Sequence, residues 1–528
     1  MPWNYKAAQT RIRQKMEDVP QVEIQGYSDG YYPMFLERQK TLKAEKLIAP
    51  EKPLFDLPAN SAILVNSVQI YVNIINYEEY RLEDGVETEE SHKRALQFLH
   101  LHYSACDRVI ENTKAQRVDF HSARLHAVVL EDATSGLTRA SVIEALHLAK
   151  QLQVLSEQAN QILAEDGLGA RFRIGIDAGQ CVAINSGNGK DKEPLFLGSA
   201  ANHAAKLADG DVPGIFLSDR ARAILNMPQV FGLDNERQSM LTDLDYQKFL
   251  SEQAFMDSSG EVFTATARAE NLLSTWRNEI SAKGLLGQSI PDFTFHYKQP
   301  PLSDIKYEDI YPSSSIRMSS SSIFADLDGY TAYIDNAMLT NNVSAAVRAI
   351  HVIRAELQSV LEEDFGGRKV RFIGDCIHGL IAEGTDTTVS LSQTMRSTAL
   401  CTGALRSSFE LCQSEISNIN ELGLAIGTEL GQTPISRIGI RGERGVRVAS
   451  SASTIESEAL QRECNGKQTK FGDNALTNLP TDLASLVDCD GMASGLDYDE
   501  VAVNNVGITL GDNESQPSVH RSHCGKSC

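Results

Sequence analysis

The sequence predicts an α+β fold made of two tandem copies of one ferredoxin-like unit. Three observations carry this. The first is an internal repeat. Tyr71–Tyr77 aligns with Phe324–Tyr330 at a spacing of 253 residues, and Val118–His126 with Val370–His378 at 252. Phe172–Gln180 aligns with Leu424–Gln432 at 252, and Leu197–Asn202 with Val448–Ser453 at 251. Blocks that stay collinear over so long a span do not arise by chance. The second observation is that both copies alternate short apolar runs with long stretches of helical spacing. These stretches are Ser91–Asn112 and Thr138–Leu163 in the first copy, Val343–Glu363 and Ser390–Asn418 in the second. The third is a Gly–Asp turn, Gly374-Asp375, flanked by apolar runs, which predicts a hairpin in the sheet.

Length and composition bound the rest. The chain has 528 residues, with 49 basic against 70 acidic side chains and a net charge of −21. That balance argues against a nucleic-acid or anionic-membrane surface. No apolar run reaches a membrane span, and the first fifteen residues are mostly polar, so a cytoplasmic chain is expected. Nine scattered cysteines fit a reducing compartment. The predicted organisation is an N-terminal extension (1–58), a first unit (59–270), a linker (271–315), a second unit (316–500) and a polar tail (501–528). The tail motif His520-x-x-His523-Cys524-x-x-x-Cys528 reads as composition rather than a metal site.

In the second unit, Ile323-Phe324-Ala325 reads as a buried strand, with Asp326 where the strand runs out. Gly329 turns the backbone, and Asp328 or Thr331 is expected to cap a helix carrying Tyr333, Ile334 and Met338. Asp375 sits at the hairpin tip about fifty residues on. If that hairpin pairs with the first strand, the two carboxylates face each other. Such a pair repels unless cations neutralise it.

Phe-Ala-Asp-x-x-Gly-Tyr-Thr followed by Ile-Gly-Asp, in this order and spacing, resembles the class III nucleotide cyclases. The resemblance implies two such domains forming an intramolecular pseudo-heterodimer, with one active site between them. It implies that Asp326, Asp375 and the carbonyl of Leu327 hold two Mn²⁺ or Mg²⁺ ions. It also implies that Asp328, Gly329, Tyr330 and Thr331, with Ile373 and Gly374, cradle the triphosphate.

The copies diverge at their polar positions. Asn73 and Ala123 stand at the repeat positions of Asp326 and Asp375, so the first unit is expected to hold no metal. The first unit instead carries Gly198-x-x-x-Asn202-x-x-x-Lys206, with Asn and Lys one turn apart on a helix face. This resembles the family's Gly-x-Val-Asn-x-Ala-x-Arg, in which Asn orients the ribose and Arg meets charge on the reacting phosphate. Ser453 and Ser457 align with these positions in the second unit, which therefore lacks both functions. The losses are complementary, and one complete set survives across the two units. Lys470 resembles a family phosphate contact, with a solvated surface lysine as its alternative.

By the same alignment the base-reading positions are Asp119 and Leu195, which match neither the adenine pair nor the guanine pair of the family. A tandem cyclase without a purine pair is similar to the bacterial pyrimidine cyclases of Pycsar antiphage defence. That implies UTP, or CTP, as substrate, and a cyclic nucleotide that acts on a separate effector protein. Cyclic CMP formation, a purine cyclase, a nucleotide-binding regulator without turnover, and a scaffold whose halves only dimerise remain the alternatives. His126 and His378 occupy one repeat position and read as structural. The basic run Arg437, Arg441, Arg444 and Arg447 reads as a solvated hairpin, and Cys376 has no activating base nearby in sequence.

Overall fold

The computed structural model describes residues 3–19, 21–45, 53–54, 57–58, 60–162, 169–186, 193–231, 239–250, 255–256, 262–263, 271, 274, 292–439 and 445–504. Arg441, Arg444 and the His/Cys tail motif lie outside them.

Chain order begins with helix α1 (Tyr5–Asp18) and strands β1 (Glu23–Gly26) and β2 (Ser61–Ile74). Then come α2 (Glu89–Glu111), β3 (Gln116–His121), β4 (Arg124–Leu130), α3 (Arg139–Ile162), β5 (Phe172–Ser186), β6 (Glu193–Leu197), α4 (Ser199–Ala208) and β7 (Gly214–Leu217). Strands β1 to β7 form one sheet, ordered β3-β4-β2-β5-β6, with β1 alongside β2 and β7 alongside β5. The second half repeats the plan. It contains β8 (Phe295–His296), β9 (Ser315–Asp328), α5 (Tyr330–Leu339), α6 (Val343–Ser359), β10 (Arg368–Ile373), β11 (Cys376–Ile381) and α7 (Leu391–Glu415). β12 (Gly423–Ile438), β13 (Val446–Ala449), α8 (Ala452–Arg462), β14 (Gln468–Phe471) and β15 (Met492–Ser494) follow, with short helices at Asp473–Asn478 and Tyr498–Asn504. Its eight-stranded sheet runs β10-β11-β9-β12-β14-β15, with β8 beside β9 and β13 beside β12. The fold is therefore the predicted pair of α+β units.

Register confirms three of the four repeat blocks and corrects the last. Tyr71 pairs with His126 and Gly175, and Phe324 pairs with His378 and Gly427. The centre of each sheet is thus one pattern: Tyr71 stacks on His126 at 4.2 Å and Phe324 on His378 at 4.3 Å. The helices that follow tell a different offset. A Cβ on Gly179 would meet Ala200 and one on Gly431 would meet Ser453, while Gly175 lies under Ala204 and Gly427 under Ser457. Strand register gives the edge strand the same offset as this helix, so both lie two residues further along in the second copy than the sequence alignment puts them. Asn202 corresponds to Ile455 and Lys206 to Ala459, rather than to Ser453 and Ser457. The conclusion survives the correction, since Ile and Ala supply neither the amide nor the charge.

The two units hold each other by exchanging arms. Ile438, Val446 and Val448, from β12 and β13, are buried in the first unit's core. Val182, Ile184, Leu195 and Leu197, from β5 and β6, are buried in the second unit's core beside Leu327 and Tyr330. Full burial of each such side chain contributes about 1.5–3 kcal/mol, so the exchanged arms bind the units tightly.

The two segments expected to be an extension and a linker are built into the body. Helix α1 lies on α6 and α7, where Arg11 and Lys15 both reach the fully buried Glu356 (2.7 and 2.9 Å). Trp3 Nε1 donates to Ser408 at 2.8 Å. Strand β1 then joins the first sheet, parallel to β2. Leu302, Ile305, Tyr307 and Ile310, in the linker, are buried under the second sheet. Apolar residues in these Pro-rich stretches have partners distant in sequence, which local pattern does not reveal.

Candidate active site

Strand β9 pairs with β11 up to Ala325–Ile377 and with β12 up to Asp328–Gly423. Asp326 is thus one residue past the end of the first ladder. It lies beside the Gly374-Asp375 turn that joins Ile373 to Cys376, where Gly374 takes φ +61°. Asp326 and Asp375 meet there, half-buried. Burial, reinforced by Asp328 and Glu458, pushes the Asp326 carboxyl up to about 6, against the pull of Arg462. Burial and the Asp326 charge push Asp375 well above the usual carboxylate range. Two carboxylates that hinder each other's ionisation are the donor set a divalent cation relieves. Among the described residues no group of three or more His, Cys, Asp or Glu forms a closed metal cage. The remaining ligands would have to be the Leu327 carbonyl, water or substrate oxygens, as at an open catalytic site.

Helix α5 begins directly after this pair. Gly329 is its N-cap, in the left-handed region at φ +82°, and no side chain caps it. This differs from the expected Asp328 or Thr331 cap. The Asp328 carboxylate turns away to accept from Gly466 N–H at 2.9 Å. Thr331 accepts a hydrogen bond from Asn202 Nδ2 of the other unit. The first N–H groups of a ten-residue helix are left for an anion. The Tyr330 hydroxyl is buried and has no hydrogen-bond partner among the described residues.

The Asn202 contact positions α4 against the turn. Gly198, its N-cap at φ +127°, has no side chain, and Asp335 of α5 accepts from Ser199 N–H at 3.1 Å. The mirror contact holds α8, where Glu87 of the first unit accepts from Ala452 N–H at 2.6 Å. Each of these helices starts on a carboxylate of the other unit, which suits its positive end. Lys206 is exposed, one turn beyond Asn202, with no hydrogen bond or ion pair among the described residues.

The base-reading positions are more engaged than expected. Asp119 Oδ1 accepts from Arg371 Nη1 at 2.7 Å, and Arg371 occupies the repeat position of Asp119 in the second unit. The two equivalent positions therefore pair across the pseudo-symmetry axis, and only part of the Asp119 carboxylate remains to read a base. Leu195 is buried in the second unit's core and offers only an apolar wall. Tyr71, which sequence reasoning used only as a repeat marker, lies in the field of both Asp119 and Asp375. Lys470 is ion-paired with Glu463, which fits the surface-lysine alternative better than a free phosphate contact.

A cavity of about 370 Å³ opens against Asp326, bounded by Arg124 of the first unit and by Asp328, Glu458, Gln461 and Arg462 of the second. Sequence reasoning missed Arg124, Glu458 and Arg462. The available signal was at the repeat positions, where Arg124 stands opposite Cys376.

At the pseudo-equivalent place the first unit has Asn73 and the Ser122-Ala123 turn, with Ile455 packed against its core. The Tyr77 hydroxyl is satisfied there by Ser450 at 3.0 Å. Asn73→Ala is therefore expected to leave turnover within about two-fold of the parent, as for a surface change away from special features. A loss approaching that of Asp326→Ala would show that the first unit also carries reacting groups.

No family model matches the chain. It is 40% identical to a uridylate cyclase of a Rhizobium species over 511 residues, covering 95% of both chains. It is 34% identical to a uridylate cyclase of Pseudomonas aeruginosa over 506 residues, covering 94% of this chain and 90% of that one. Among solved structures, a class III adenylyl cyclase-like ATP-binding protein from Pseudomonas aeruginosa superposes with a TM-score of 0.81 at 32% identity. That match covers 96% of this chain and 100% of the other.

Proposed function

The chain belongs to the uridylate cyclases, a branch of the class III nucleotide cyclases, and from that premise we propose that it converts UTP to 3′,5′-cyclic UMP and pyrophosphate at a single site shared by its two units. The observation that carries this reading is the Asn202–Thr331 hydrogen bond. It joins the ribose-orienting helix of one unit to the phosphate turn of the other.

When bound at Asp326, Asp375 and the Leu327 carbonyl, Mg²⁺ or Mn²⁺ would neutralise the triphosphate and acidify the ribose 3′-hydroxyl. The chain's own residues do the rest. The open N-terminus of α5 binds phosphate oxygens through backbone N–H groups, with Ile373 and Gly374 as the opposite wall. Asn202, already at the turn, holds the ribose in attacking geometry, an orientation effect. Lys206 meets the charge that grows on the α-phosphate. Asp119 offers its remaining acceptor to the N3–H of uracil or to the amine of cytosine, so CTP is the nearest competitor.

The product is proposed to be a second messenger for a separate effector in antiviral defence, made by a cytoplasmic enzyme. Among the described residues no helix is long and apolar enough to cross a membrane. Incubation with each of the four nucleoside triphosphates and Mn²⁺, with the product identified by mass, tests the assignment. Cyclic AMP as the main product would overturn the pyrimidine reading, and no cyclic product would overturn the reaction.

Lys206→Ala is expected to lower kcat by about 10²-fold and to change KM much less, because the contact strengthens only as charge develops. Lys206→Arg retains most turnover. A change confined to KM would assign Lys206 to ground-state binding instead.

A further inference from the structure

We infer that Arg124 and Arg462 form a clamp for the β- and γ-phosphates of the substrate, and for the pyrophosphate that leaves, with Glu458 as their common seat. The inference rests on the proposed triphosphate reaction at Asp326 and Asp375.

Both guanidinium groups line the cavity that opens on Asp326. Both are held by one oxygen, Glu458 Oε1, at 3.1 Å from Arg124 Nη1 and 2.6 Å from Arg462 Nη2. Arg124 also reaches Asp209 at 3.0 Å. Arg462 makes no other hydrogen bond among the described residues and is about half exposed. A guanidinium has five N–H donors, so most of the Arg462 fork remains open. Glu458 is held well below the usual carboxylate range despite its burial, by His121 and the two arginines, so the seat stays charged.

The repeat shows that the arrangement is specific to the metal-carboxylate side. At the corresponding helix end, the first unit has Asp209 where the second has Arg462. At the hairpin, the first has Arg124 where the second has Cys376. In the first unit Arg124 and Asp209 neutralise each other. In the second unit the helix-end cation faces Asp326 instead, and Arg124 crosses over to join it. The cavity wall built from two guanidinium groups thus lies beside the carboxylate pair. Planar forks match phosphate oxygens with paired, charge-assisted hydrogen bonds. Arg124 comes from the unit without carboxylates, so the clamp is a second reason the site needs both units.

The test uses the full-length protein with Arg124→Gln, Arg462→Gln and the corresponding Lys replacements. Product inhibition by pyrophosphate and by cyclic UMP is measured alongside KM for UTP. Each Gln variant is expected to weaken pyrophosphate inhibition about ten-fold or more. Inhibition by cyclic UMP should change by less than about two-fold, because that product has no β- or γ-phosphate. The Lys variants recover part of the loss. Equal weakening of both products would reveal a merely structural role and overturn the clamp. So would unchanged pyrophosphate inhibition in Arg462→Gln, whose exposed position keeps folding out of the comparison. If the parent protein makes no cyclic nucleotide, the cyclase reading falls separately. Calorimetric titration with Mn²⁺-pyrophosphate then still decides the clamp: weaker binding by Arg462→Gln supports it, and equal binding overturns it.

Discussion

Asp326→Ala and Asp375→Ala each reduce cyclic nucleotide formation by about 10³-fold or more, the expected loss when a charge-stabilising cation site is removed. The fold survives, because both side chains sit at the edge of a turn rather than inside the apolar core. Rates at saturating Mn²⁺, with circular dichroism as the fold control, check this. Substantial residual turnover in either variant would remove the carboxylate pair from the mechanism. The same pair predicts a stability effect. In the metal-free fold the Asp326 carboxyl titrates at about 6, raised chiefly by burial, against about 3.9 in an unfolded chain. The unfolded state therefore releases this proton first. Stability falls as pH rises from about 4 to about 6, and the cost is complete above that. Metal-free Asp326→Asn should then melt above the parent at pH ~8 and no higher than it at pH ~4. Equal melting temperatures on the alkaline side would contradict the crowded, desolvated pair.

The second large effect comes from dividing the chain. Residues 1–280 and 281–528, expressed separately, are each expected to be inactive, and mixing them should restore turnover. The cut is made well before Leu302 because Leu302, Ile305, Tyr307 and Ile310 are buried under the second sheet. Reassembly has a structural basis: each unit contributes edge strands to the other's core, and α1 of the first fragment docks on Glu356 of the second. Breaking a buried pair of this kind costs about 3–5 kcal/mol, so Glu356→Ala in the second fragment should impair reassembly. Full turnover by residues 281–528 alone would mean that the site is not shared.

Most of the fold was legible because periodicity and repetition are local properties. The four long helices match their predicted spans within a few residues, and the Gly374-Asp375 hairpin is where turn chemistry put it. Asp326 and Asp375 were legible as a pair because each ends a strand that a two-residue turn or a sheet partner must place. The alignment of Asn202 with Ser453 was wrong for a reason sequence could not expose. Ser450, Ser451, Ala452 and Ser453 are small and interchangeable, so a two-residue slip of the alignment leaves no mark. The glycines packed beneath the helix, Gly431 and Gly427, and the register of the edge strand reveal it.

The sequence by itself determined that two copies of one α+β unit share a chain, which copy holds the paired carboxylates, and which holds Asn202 and Lys206. Those are questions of residue type at repeated positions. Only the tertiary structure decided what lies across the interface: Arg371 on Asp119, Asp335 at the start of α4, Arg124 against Arg462 and Glu458, and α1 on the far unit. Each joins residues far apart in the chain through charge or a single hydrogen bond. Such contacts depend on how two folded surfaces meet, and they impose no periodicity on the sequence that makes them.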